Sequence, residues 1–195
     1  MARWLGVPES EIESRVWLGG RATETNVQEL NRKGELATYR VVQFAAHGLI
    51  AGEIKNLAES ALVLTPPTEA TEADDGLLTA SEVTELKLNA DWVVLSACNT
   101  TAGSAANEAL SGLARAFFYA GARALLVSHW QVNSDVAVKL TTGAFTALQA
   151  NPNIGRAGAL QQAMTALIKF GNDSEAHPSS WSPFILVGEG GQLEH

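Results

Sequence analysis

Short apolar runs alternate with amphipathic stretches along this chain, and the two kinds of segment differ in period. Residues 39–46 (YRVVQFAA), 60–64 (SALVL), 91–98 (DWVVLSAC), 123–129 (RALLVSH) and 182–188 (SPFILVG) are brief and show little polar alternation. Runs of this kind suit strands buried on both faces of a parallel sheet. An earlier run, 15–19 (RVWLG), closed by Gly19 and Gly20, predicts a strand near the beginning. The intervening segments carry helical signals. Thr23 and Thr25 are placed to cap a helix through Val27 and Leu30, which Gly34 ends. Thr79 and Glu82 match the capping-box spacing and open a short helix. Ala106, Leu110, Leu113, Ala114 and Phe117 share one helical face, closed by Gly121. Ser134 is read as the cap of a helix bearing Val136, Leu140, Ala144 and Leu148. A further stripe of Leu160, Ala163, Met164, Leu167 and Ile168 runs to Gly171.

Alternating strands and helices predict an α/β fold: a three-layer α/β/α sandwich around a mostly parallel sheet. Residues 66–76, with Glu69, Glu72, Asp74 and Asp75, read as a solvated acidic loop without the ligand spacing of a calcium loop. Residues 1–14 read as a linker or arbitrary start, 15–192 as the folded domain, and 193–195 as a tag remnant.

Composition narrows the function. The chain has 195 residues, 13 Lys and Arg against 21 Asp and Glu, and a formal net charge of −8. Nucleic-acid binding by this domain is not expected, because phosphate contacts need clustered cations. No apolar run reaches the roughly 18 residues of a membrane span. One cysteine excludes an intrachain disulfide and a C-x-x-C zinc site, and a reducing cytoplasmic compartment is the default expectation. Neither G-x-S-x-G nor a P-loop is present.

In open α/β sheets, reactive groups sit beyond the carboxyl ends of the strands. His47 and Gly48 follow one predicted strand, and Cys98 ends another. If both strands are parallel, imidazole and thiol share one sheet edge. A nearby imidazole can generate a thiolate or shuttle its proton. The N–H groups of Gly48 and Cys98 would then suit an oxyanion hole. The plainer alternatives are a buried core cysteine and a hydrogen-bonded strand-end histidine. A metal site from His47, Cys98 and His129 lacks ligand spacing, so no metal and no cofactor are expected.

Several segments in this order resemble the CHAT family: QFAAHG (43–48), LLTASEV (77–83), WVVLSACNTTAG (92–103), ALSGLARAFFYAGARALLVSHWQVNSD (109–135) and HPSSWSPFILVG (177–188). The resemblance covers about residues 16–188. It implies a caspase-like fold and a cysteine endopeptidase acting on protein or peptide substrates, with a dyad of His47 and Cys98. It also implies regulation by a neighbouring domain such as tetratricopeptide (TPR) repeats. The family's substrate-pairing segment falls on Ser128, His129 and Trp130, where the peptide would add as a strand. Trp130 would wall a pocket or serve as a core-edge aromatic. Asp135 lies near the place where relatives carry an acid for a basic P1 side chain, and equally suits the first turn of a helix. A caspase-like interaction module without turnover is the alternative function.

Overall fold

The computed structural model describes residues 8–52, 54–55, 57–71, 74–95, 104–130 and 132–191, with 104–111 as backbone only. Seven strands are present among them: β1 (Val41–Phe44), β2 (His47–Leu49), β3 (Ala61–Val63), β4 (Leu77–Thr79), β5 (Trp92–Leu95), β6 (Ala124–Ser128) and β7 (Phe184–Gly188). The helices are α1 (Glu9–Arg15), α2 (Glu24–Arg32), α3 (Ala80–Glu85), α4 (Ser104–Tyr119), α5 (Ser134–Ala150), α6 (Gly155–Phe170), α7 (Asp173–Ala176) and α8 (Pro178–Trp181).

Four strands form a sheet in the order β1-β5-β6-β7. β1 and β5 run parallel, with Val41 opposite Trp92 and Phe44 opposite Leu95. A parallel bridge between Ala90 and Ala122 precedes β5 and β6. The direction of β7 follows from one bond: His129 N–H, just past β6, donates to the Pro183 carbonyl just before β7, at 3.0 Å. The end of one strand meets the start of the other, so β7 is antiparallel. The fold is thus the expected α/β class with a mostly parallel sheet and helices packed around it, consistent with a caspase-like architecture. Every residue of β5 and β6 is buried, which is why both segments read as unbroken apolar runs.

A second sheet, β2-β3-β4, is antiparallel throughout. The strand expected at 60–64 belongs here and not to the parallel sheet. The strand expected at 39–46 is divided: β1 ends at Phe44, and after Ala45 and Ala46 the chain enters β2 at His47. No strand forms at 15–19. Arg15 closes α1, and Gly19–Arg21 is a 3-10 turn. The apolar residues there are not buried; Leu18 is 72% exposed. α1 buries no residue and carries an ion pair between Glu11 and Arg15 at 2.8 Å, so periodicity gives it no signature.

The chain divides into two compact units, Leu18–Leu126 and the residues on either side of it. In the first, Phe117 of α4 meets Phe44 of β1 with ring centroids 5.5 Å apart, an arrangement worth about 0.5–1.5 kcal/mol beyond area burial. α3 packs on α4. Gly121 has φ +104, and a Cβ there would lie 2.3 Å from the Leu88 carbonyl oxygen. Glycine is therefore the residue that turns α4 toward β6. The buried Asp91 accepts from Arg40 and, at 3.3 Å, from Arg123, tying together the residues that enter β1, β5 and β6. In the second unit α5 packs on α6. Gly143 lets them close, since a Cβ there would lie 3.3 Å from that of Ala163. The α5 cap is Asn133, one residue before the expected Ser134; its Oδ1 accepts the Asp135 N–H at 2.8 Å.

Candidate functional site

His47 opens β2, paired opposite Val63, and is exposed. The chain reaches it from the carboxyl end of β1, within the three-residue step from Phe44. The parallel register sets Phe44 opposite Leu95. Cys98 follows Leu95 by the same number of residues as His47 follows Phe44. Cys98 itself lies outside the described residues.

The direction of the Gly48 amide can be worked out from the ladder. Leu64 N–H donates to the Gly76 carbonyl and Ala80 N–H to the Ser60 carbonyl, at 2.8 and 2.9 Å. Residues 60, 62 and 64 therefore aim their backbone groups at β4. Residues 61 and 63 then face β2, because backbone direction alternates along a strand. His47 opposite Val63 and Leu49 opposite Ala61 are the hydrogen-bonded pairs, and Gly48 opposite Leu62 is not. The Gly48 N–H thus points away from β3, on the outer edge of this sheet.

The other expected site residues lie in the second unit. Ser128 is the buried last residue of β6, His129 is half-buried, and Trp130 is 41% exposed. The His129 N–H is engaged by Pro183. By alternation, the groups of this segment that face away from β7 are those of Ser128 and Trp130. The indole N–H of Trp130 donates to the Ser179 carbonyl at 3.1 Å. Asp135 is exposed in the first turn of α5, where the helix dipole favours an acid.

An acidic group of the first unit was read from sequence only as a cap and a solvated loop. Glu82 is indeed the capping-box residue, accepting the Thr79 N–H at 2.8 Å. The end of the acidic loop is not simply solvated. Asp74 accepts from the hydroxyl of Thr25, and the Asp75 N–H donates to Glu24 at 3.2 Å. Glu24 is 1% exposed. Burial first, then the charge and hydrogen bond of Glu82, push its carboxyl up to about 7. Sequence gave no sign of this pair, because 58 positions separate its members in the chain. Among the described residues no group of three or more His, Cys, Asp or Glu is placed to hold a metal, and no helix is long and apolar enough to cross a membrane.

The CHAT domain family model matches residues 1–189. Among curated proteins, Tetratricopeptide repeat protein 28 of Mus musculus is 28% identical over 238 aligned residues, covering 96% of this chain and 9% of that protein. Tetratricopeptide repeat protein 28 of Homo sapiens is 33% identical over 117 residues, covering 57% of this chain and 4% of that protein. The chain thus spans less than a tenth of the length of either relative.

Proposed function

Because this chain belongs to the CHAT family, a caspase-like family, we propose that it is a cysteine endopeptidase built on His47 and Cys98. The register of β1 against β5 carries this reading, since it keeps the segments leading to the two residues in step. In the proposed reaction His47 takes the Cys98 thiol proton and Sγ bonds to the scissile carbonyl carbon, whose π electrons pass to the oxygen. The oxyanion is held by the N–H groups of Gly48 and Cys98. The C–N bond then breaks as His47 delivers a proton to the leaving amine, and water hydrolyses the acyl-enzyme. The outward Gly48 N–H supports that part of the scheme. The peptide is proposed to add as a strand along the segment Ser128, His129 and Trp130. Asp135 is assigned to a basic P1 side chain. Adjacent TPR repeats are the proposed regulator in the full-length protein.

Peptide-library profiling of the wild type beside Cys98→Ala tests this. The expected result is cleavage after a defined residue by the wild type and none by the variant. Equal cleavage by Cys98→Ala would overturn it. The similarity to a protein named for its TPR repeats favours a second reading, an interaction module without turnover. That reading predicts no cleavage across the library by either protein.

A further inference from the structure

Two bonds join the exit of β6 to one short segment of the same unit. His129 N–H reaches the Pro183 carbonyl at 3.0 Å, and the Trp130 indole N–H reaches the Ser179 carbonyl at 3.1 Å. The second is the more informative. An indole has a single donor, and here it is spent on a backbone acceptor while the residue stays 41% exposed. The ring is pinned at its polar edge and still offers surface to solvent.

The acceptor is itself held firmly. His177 caps α8: its Nδ1 accepts the Ser179 N–H at 3.3 Å and lies 2.8 Å from Ser179 Oγ. Pro178 occupies the first helical position, where its fixed φ fits and its missing N–H costs nothing. The Ser180 hydroxyl donates to the Ser174 carbonyl at 2.7 Å, and the Trp181 indole to the Ala176 carbonyl at 3.1 Å. Ser182 N–H returns to Pro178 at 2.9 Å. Four residues of helix would not be stable alone. These side-chain bonds supply what its length does not.

We propose that the turn 177–181 is a positioning element for substrate selection: its Ser179 carbonyl fixes the Trp130 indole as one wall for an apolar side chain of a bound peptide. His177 acts through Trp130 and touches no substrate. The proposal rests on the reading of residues 128–130 as the segment that pairs with the peptide. A wall held in advance lowers the ordering cost of binding, so its loss falls on affinity and selectivity more than on the chemical step.

The test uses the whole chain and two peptides. One is the best library substrate with an apolar side chain at the selective position, and the other carries glycine there. Trp130→Phe keeps a ring but loses the donor. His177→Ala uncaps the turn and leaves Trp130 in place, and His177→Asn restores a cap acceptor. The expected result is a KM for the apolar peptide raised about 5–20-fold in Trp130→Phe and His177→Ala, with a much smaller change in kcat. The preference over the glycine peptide should shrink accordingly, and His177→Asn should return it to within about twofold of wild type. An unchanged KM and preference in a folded His177→Ala would overturn the proposal. If His177→Ala fails to fold, Trp130→Phe and His177→Asn decide it. If no peptide is cleaved by the wild type, the peptidase reading fails. The wall is then tested by calorimetry with Cys98→Ala protein, using the library peptide with an apolar side chain that this protein retains most tightly and its glycine counterpart. Weakened binding on adding Trp130→Phe supports it; unchanged or absent binding overturns it.

Discussion

Glu24 shows how strongly burial can act on one residue. Its carboxyl is shut away with Glu82 beside it and Asp74 nearby, and its Oε1 accepts from Gln28 at 2.8 Å. Two ionised carboxylates in that setting repel, so the folded state keeps a proton that the unfolded chain releases near 4.5. The sign follows: between about 4.5 and 7 the native state binds more protons than the unfolded state, and stability falls as pH rises. Glu24→Gln, which keeps the shape, is expected to flatten that slope and gain roughly 1–3 kcal/mol at pH 8. Denaturant melts of both proteins at pH 5 and pH 8 measure it. Asp91 is another buried acidic side chain, paired with Arg40 and Arg123. Asp91→Ala is expected to cost about 1.5–3 kcal/mol in the same assay, the usual worth of hydrogen bonds to a charged group. Neither effect was legible in the chain. A cap at Glu82 can be read from four consecutive residues, but a carboxylate pair needs the fold to assemble it.

At the scale of elements, legibility followed burial. β5 and β6 are buried along their whole length, so their sequences are uninterrupted apolar runs. β2 and β4 are three residues each and partly exposed, too short for either period to show. The strand expected at 15–19 failed for the opposite reason, because an apolar run there stays largely outside. The step from β1 into β2 was hidden as well. It matters most for the site, since it takes His47 from one sheet into another and turns the Gly48 N–H outward. That geometry gives a specific expectation. Gly48→Pro removes the one N–H that β3 does not use, at an edge position where proline is tolerated. Turnover should fall about 10²–10³-fold if that N–H holds the oxyanion, with Gly48→Ala, which keeps the N–H, much closer to wild type. Parallel kinetics and thermal melts of the two variants separate this from a folding defect.

For the whole molecule, charge and the single thiol remain the guiding features. A net charge of −8 draws basic peptides more readily than nucleic acid. The KM of a basic peptide should therefore rise with ionic strength, and a flat salt dependence would remove charge from the account. The apolar runs that hold β1, β5, β6 and β7 were readable as strands, whereas their order in the sheet and the second sheet were not. His47 and Cys98 stood out as candidates because strand ends are where parallel sheets expose chemistry. Their cooperation is the central claim, and a double-mutant comparison addresses it most directly. On the best library peptide, Cys98→Ala, His47→Ala and the double variant should each lose at least about 10³-fold in kcat/KM, the double losing no more than the worse single, as groups acting together do. Near-wild-type turnover by either folded single variant would contradict the dyad.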